Sequence, residues 1–491
     1  MDVEVKTALG KVRGVRTEGC CEFLGIPYAE PPVGELRYAA PKRAAPWEGV
    51  LDGTRFSPSP PQMPDVSVPP PPEGVPAQEY LTVNVWTPDP GATRLPVLVW
   101  IYGGGFIAGT SADPSFDCAR LARDGGGVTV SMNYRVGVEG FARLEGAVGN
   151  RALLDIVCAL EWVHENISAF GGDPGQITLW GQSAGAGTTM AVAVMPAAEG
   201  LFHRIIAGSV PNTCFAPDLA ERVTGEIARE AGRAPTAADF SRADPDDLVR
   251  ALDAVAKRAS QYAERWGPAF YGPVLGPVVD GEDLPVDPWT ALAGGALGRV
   301  PLLLGHTRDE FRLFLARQGE LGEITEKQTK ELIHALAPGT AAAYERNSPG
   351  ATTEEIYGEV YSDWLFRMPT YTLARLHAGE THLYELDFTV PVHHGALGAP
   401  HCSDLPLVFG VFDRGLGTEL YADSPSPEAI ALGDAMRQRW IDFVRWGDPG
   451  WEPFTGEDGP TRLLAIGSRT APYPRAGSAG IWADHVWGPA T

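Results

Sequence analysis

Short apolar runs alternate along this chain with stretches of helical periodicity. Met1–Lys6 switches between polar and apolar side chains as a strand does. Three later runs, 81–86 (LTVNVW), 96–101 (PVLVWI) and 127–132 (GVTVSM), are bounded by Gly, Pro or Asp, and they read as buried strands at the centre of a sheet. Residues 176–180 (QITLW) and 300–305 (VPLLLG) add further strands, and 384–388 (YELDF) a late one. In between, residues 149–166 set Leu153, Leu154, Val157, Leu160 and Val163 near helical spacing, which predicts an amphipathic helix laid against that sheet. Residues 184–194 read as a helix of small side chains, and 427–446 as a helix ending at Gly447. Charged helical patterning over 215–265 and a helical region over 315–380 read as inserted layers. Buried strands alternating with helices predict an α/β fold whose central sheet is twisted, mostly parallel and flanked by helices. Without an internal repeat or a low-complexity linker, the expectation is one body of 491 residues carrying insertions.

Proline changes this picture in two places. Residues 25–34 (GIPYAEPPVG) form an ordered bend, and 57–78, including Val68-Pro-Pro-Pro-Pro-Glu73, read as a surface loop of polyproline character and the best place for a lid. The net charge of −23 excludes a nucleic-acid partner, which needs a basic face for phosphates, and argues against docking on an anionic bilayer. The first residues lack a basic segment followed by an apolar one, so no secretory signal is expected, and no run of eighteen apolar residues spans a membrane. Six cysteines, Cys20, Cys21, Cys118, Cys158, Cys214 and Cys402, include no CxxC and no zinc-like spacing. Free thiols in a reducing cytoplasm, with no metal and no cofactor, are the expectation. Oligomeric state is not legible.

The chemistry concentrates at Gly181-Gln182-Ser183-Ala184-Gly185, where a serine stands between two glycines after a strand and before a helix. A nucleophile elbow has this form: small neighbours let the chain double back, and the hydroxyl points outward beside the helix N-terminus. In a chain with 58 glycines the pentapeptide can also arise by chance, so it does not stand alone. A serine nucleophile needs a histidine base, an acid to orient it and donors for an oxyanion. Tyr102-Gly-Gly-Gly-Phe106 follows the 96–101 strand, and its bare amides suit an oxyanion hole; a phosphate-binding loop is disfavoured because no G-x-x-x-x-G-K-[ST] is present.

With 102–106 (YGGGF), 181–185 (GQSAG), 171–180 (GGDPGQITLW), 25–34, 133–137 (NYRVG), 276–281 (GPVVDG), 305–310 (GHTRDE) and 398–410 (GAPHCSDLPLVFG), the chain resembles the type-B carboxylesterase and cholinesterase family of α/β-hydrolases over nearly its whole length. The resemblance implies a serine carboxylesterase acting on small to medium esters, with helical insertions over the active site. Its triad order, Ser then Glu then His, falls on Ser183, Glu310 and His401, with Asp309 the competing acid and His393-His394 the competing bases. The amides of Gly104, Gly105 and Ala184 are the implied oxyanion donors. Ser209 matches a serine placed behind the triad acid, although the chain reads Gly208-Ser209-Val210-Pro211 where the family has Ser-Gly-Ser.

Other departures are informative. Many relatives carry Glu before the nucleophile and again three residues after the histidine; here these positions hold Gln182 and Asp404. One carboxylate fewer should simplify titration near His401 and disfavour a cationic alcohol group. Secreted relatives close a disulfide where this chain has Pro60 and Tyr80, and Phe311 replaces a glycine after the triad acid, with core packing its expected role. The same machinery serves lactone or carbamate hydrolysis, transacylation or biosynthetic cyclisation, and a non-catalytic binding homologue is the alternative of another class.

Overall fold

The computed structural model describes residues 1–65, 68–422 and 424–491, and the chain divides into two compact units. The first comprises Met1–Ile205, Thr213–Asp287 and Pro489–Thr491. Its strands are β1 (Asp2–Lys6), β2 (Lys11–Thr17), β3 (Cys20–Pro27), β4 (Val50–Asp52), β5 (Thr82–Thr87), β6 (Leu95–Ile101), β7 (Val128–Met132) and β8 (Gly172–Gln182). They lie in the order β1-β2-β3-β5-β7-β6-β8, with β4 beside β2. β1, β2, β3, β5 and β7 pair antiparallel in turn and β4 pairs parallel with β2, whereas β6 is parallel to both β7 and β8, with Val97 opposite Val128 and Ile177. Strands β5 and β7 are buried at every position, as strands covered on both faces are. β8 starts earlier than its apolar run because Gly172 already pairs with Leu95; the register then shifts before Ile177, where Asp173 turns back to cap the Gly175 amide (2.9 Å).

The helix Arg151–Asn166 keeps a solvent face, but a narrow one made of Leu154, Glu161, His164 and Glu165: the predicted core position Leu154 is half-exposed, while Arg151 and Asp155 are buried. Charged residues survive in that interior only because they are paired. Arg135 meets Asp155 (2.7 Å), and neither side chain reaches solvent.

The second unit comprises Ile206–Asn212 and Pro288–Gly488. It contains the end of β9 (Arg204–Gly208), then β10 (Leu302–Thr307), β11 (Thr381–Leu386), β12 (Thr461–Leu464) and β13 (Arg469–Ala471), in the order β9-β10-β11-β12-β13. β10, β11 and β12 run parallel and β13 closes antiparallel. The 300–305 run sits two residues early, because Pro301 has no N–H to give and the first ladder bond comes from Leu302 to Glu380 (2.9 Å). Helices occupy much of 217–257 in the first unit and 312–376 in the second. Glu326–Leu336 and Thr353–Ser362 both open with capping boxes, at Thr325/Gln328 and Thr352/Glu355, and a π-helical turn, Asp363–Arg367, follows the latter. Pro427–Trp446 ends at a left-handed Gly447, as its sequence predicts. Among the described residues no helix is long and apolar enough to cross a membrane.

Candidate active site

Functional side chains belong at the C-terminal ends of parallel strands, where loops leave the sheet. In the first unit β8 ends at Gln182, and Ser183 follows with φ 58° and ψ −133°, immediately before the helix Ala184–Ala193. A non-glycine residue there stores on the order of 1–3 kcal/mol of strain. The flanking glycines are demanded by packing. A Cβ on Gly181 would strike the Gly185 carbonyl, and one on Gly185 would strike the Ile101 carbonyl. Gln182 is buried at the end of its strand.

The loop after β6 lies against this elbow. A Cβ on Gly103 would sit 2.8 Å from the Gln182 carbonyl and 3.2 Å from the Ser183 Cβ, so only glycine lets the two backbones approach. Gly104 and Gly105 continue with φ of 113° and 62°. A Cβ on Gly105 would meet nothing within 4 Å, which leaves open space on that side of the loop.

The second unit gathers the acid and the base. Ser209, directly after β9, has φ 51° and donates its N–H to the Gly305 carbonyl (2.7 Å). Its Oγ donates to Glu310 Oε1 (2.6 Å), which also accepts from the Thr307 N–H (2.8 Å). Glu310 Oε2 lies 2.5 Å from His401 Nδ1, and the His401 N–H donates to the Glu310 carbonyl (3.2 Å). Glu310 has no solvent-accessible surface, and His401 keeps 2 %. Burial alone would raise Glu310, but the His401 charge and the bonds from His401, Ser209 and Thr307 outweigh it and hold the carboxyl below its ordinary range. For His401 burial works against the cation, yet the neighbouring Cys402 and the Glu310 carboxylate prevail and raise it above its ordinary 6.5.

The rivals are elsewhere engaged. Asp309 takes the Ala399 N–H (2.9 Å) and Arg308 Nε (2.7 Å), bracing the loop that carries His401. His393 and His394 are exposed, with φ of 50° and 54°. The Ser209 contact is present despite its altered neighbours.

A second carboxylate, Asp404, acts on the Glu310–His401 pair. Asp404 is buried, accepts from Tyr384 Oη (3.1 Å) at Oδ2, and is raised to about 6, by burial first and then by the Glu310 charge. Losing one carboxylate at position 182 leaves this second one inside the low-dielectric interior. Phe311 is core, as expected, stacked on Tyr361 (3.6 Å between centroids, 9° between planes). Two residues escaped the sequence reading: Phe366 stacks on the His401 ring (4.3 Å, 25°), and Phe314 lies 5.2 Å from it. They come from helical segments whose aromatic residues look, in sequence, like any other core positions.

The proline-rich 57–78 segment carries no helix or strand among its described residues; Val66 and Ser67 lie outside them.

The family model described as the carboxylesterase family matches residues 1–475. The chain is 34% identical to the phenmedipham hydrolase of Pseudarthrobacter oxydans over 494 residues, 96% of each protein. It is also 34% identical to the para-nitrobenzyl esterase of Bacillus subtilis over 463 residues, 91% of each. Among solved structures, a Geobacillus stearothermophilus carboxylesterase superposes with a TM-score of 0.85 at 31% identity, covering 98% of this chain and 99% of that one.

Proposed function

The chain belongs to the carboxylesterase family and is a carboxylic ester hydrolase of the α/β-hydrolase fold, and on that premise we propose that Ser183, His401 and Glu310 are its catalytic triad. His401 takes the Ser183 proton at Nε2 as the hydroxyl attacks the ester carbonyl. Glu310, bonded to Nδ1, fixes the tautomer and stabilises the imidazolium. The amides of Gly104, Gly105 and Ala184 receive the oxyanion, where electrostatic stabilisation is largest. His401 then protonates the departing alcohol, and water, activated by the same base, releases the acid from the acyl-enzyme.

The observation that carries this reading is the backbone of Ser183. Strain at a non-glycine residue between a buried strand and a buried helix persists only where the fold over-determines it, and it exposes the hydroxyl on the turn. Gln182, uncharged at a position where many relatives carry Glu, supports neutral esters of small to medium size over esters of cationic alcohols. Six free cysteines support work in a reducing, cytoplasmic compartment.

The test joins two measurements. Ser183→Ala is expected to lose about 10⁴ to 10⁶ in turnover, because triad members act as a unit. A fluorophosphonate probe should label the unaltered protein at Ser183, read by peptide mass. A variant that keeps most of its activity, or a label found elsewhere, overturns the assignment. A panel of p-nitrophenyl esters of rising acyl length, extended to a p-nitrobenzyl ester and to phenmedipham, the compounds in the relatives' names, then defines substrate range.

A further inference from the structure

The first residues of the proline-rich segment are hydrogen-bonded to the loop that follows β6 and to the end of β7. Asn133 Nδ2 donates to Ser57 Oγ (3.2 Å) and to the Pro58 carbonyl (3.1 Å), and Ser59 Oγ donates to Thr110 Oγ1 (2.9 Å). Gln62 goes further. Its Oε1 accepts from the Gly109 N–H (2.8 Å), while its Nε2 donates to the Gly109 carbonyl (2.8 Å) and the Pro60 carbonyl (3.0 Å). One primary amide thus satisfies both backbone groups of Gly109, as a neighbouring strand would.

Gly109 is where the glycine loop returns. Between Tyr102 and Gly109 four residues have positive φ: Gly104 (113°), Gly105 (62°), Phe106 (65°) and Gly109 (121°). The Gly104 carbonyl accepts from Ile107 (3.2 Å) and Ala108 (3.0 Å), and a Cβ on Gly109 would stand 2.7 Å from the Gly103 carbonyl, so the two ends of the loop lie back to back. Tyr134 Oη holds the entry through the Tyr102 carbonyl (2.7 Å). Gln62 holds the exit. Glycines at 103, 104 and 105 have no side chains to lock their peptides, so the aim of these amides depends on the two anchors.

We propose that Gln62 is a positioning residue for ester hydrolysis: by clamping Gly109 it sets the direction of the Gly104 and Gly105 N–H groups. The start of the proline-rich segment is then a brace for the oxyanion loop and not part of a lid. This inference rests on the reading of Gly104 and Gly105 as oxyanion donors.

Gln62→Ala and Gln62→Glu in the full chain test it with p-nitrophenyl butyrate. Removing one oxyanion donor outright costs about 10²–10³ in kcat, and misdirecting two costs a fraction of that, so Gln62→Ala should lose roughly ten- to hundredfold in kcat with KM changed by less than about threefold. Gln62→Glu presents a carboxylate to two carbonyl oxygens at pH 8 but regains a donor when protonated. Its kcat relative to the unaltered protein should therefore rise as pH falls from 8 towards 5, which general loosening of the fold does not produce. Unchanged kcat in Gln62→Ala, with Ser183 still labelled by the phosphonate, overturns the role of Gln62 alone. Failure of the unaltered protein to label overturns the catalytic reading beneath it. Should Gln62→Ala unfold at the assay temperature, the Gln62→Glu ratio decides: a flat ratio against pH refutes the clamp.

Discussion

Ser209→Ala tests how the buried acid is held. Glu310 Oε1 accepts from Ser209 Oγ (2.6 Å) and the Thr307 N–H (2.8 Å), while Oε2 serves His401, so the substitution removes one of three donors from a carboxylate without access to water. A hydrogen bond to a buried charge is worth about 1.5–3 kcal/mol. The bond exists before and during the reaction, so only the part that depends on Glu310 staying charged and aligned reaches the barrier. Assigning about half of it there gives roughly a tenfold loss of kcat, with the rest appearing as lost stability. The pH dependence has a definite sign. Glu310 lies below its ordinary range in the folded protein, so its stabilisation is present above the unfolded carboxyl's pKa and is lost as pH falls through the folded one. Removing Ser209 raises the folded pKa, and acid unfolding should begin at higher pH. Turnover of p-nitrophenyl butyrate at pH 8, with urea unfolding at pH 5 and pH 8, reads both effects. A variant within twofold in kcat and within about 0.5 kcal/mol in stability at both pH values shows that Ser209 does not hold the acid.

Glu310→Gln should cost about 10³–10⁴ in kcat and move the acid limb of the pH–rate profile downward, because His401 loses the carboxylate that favours its cation; a limb that stays in place contradicts this. Asp404→Asn should stabilise the protein at pH 8 relative to pH 4: a carboxyl raised to about 6 on folding opposes folding once ionised, by roughly 2–3 kcal/mol, and thermal unfolding across that range shows whether the difference between the proteins grows with pH. Gly185→Ala should cost more than about 3 kcal/mol or prevent folding, since its Cβ collides with the Ile101 carbonyl, whereas Gly225→Ala, in the helix Pro217–Glu230 with nothing within 4 Å of its Cβ, should stabilise by about 0.5–1 kcal/mol; urea midpoints of the pair decide. Asp155→Ala should destabilise by about 3–5 kcal/mol, leaving Arg135 charged and buried, and a loss below 1 kcal/mol argues against the pair.

Strand and helix types are legible where one force dominates. The runs at 96–101 and 127–132 are apolar enough to demand burial from both faces, and 427–446 carries its start and stop in Ser426, Pro427 and Gly447. In the helix Arg151–Asn166 the solvent face is narrower than the sequence suggests: Arg151 and Asp155 look like part of it, yet each is buried, Asp155 against Arg135 and Arg151 against backbone carbonyls. Periodicity registers polarity but not the partner that makes burial tolerable.

The same division runs through the candidate site. The elbow is written in the sequence, because Gly181 and Gly185 are the residues that a crowded turn tolerates around Ser183, and so is the glycine loop, where crowding at Gly103 and Gly104 and a positive φ at Gly105 make the same local demand. Motif register also separated Glu310 from Asp309. The fold alone shows that Thr307 joins Ser209 in holding Glu310 charged, that Phe366 stacks on His401, that Asp404 is a buried titrating group, and that Gln62 clamps Gly109. Apart from the Thr307 bond and the placement of Asp404, each joins residues from 35 (401 − 366) to 101 positions apart. Steric demand acts between neighbours in the chain and is written locally. Electrostatic support acts between neighbours in space, and it becomes visible only when the fold brings them together.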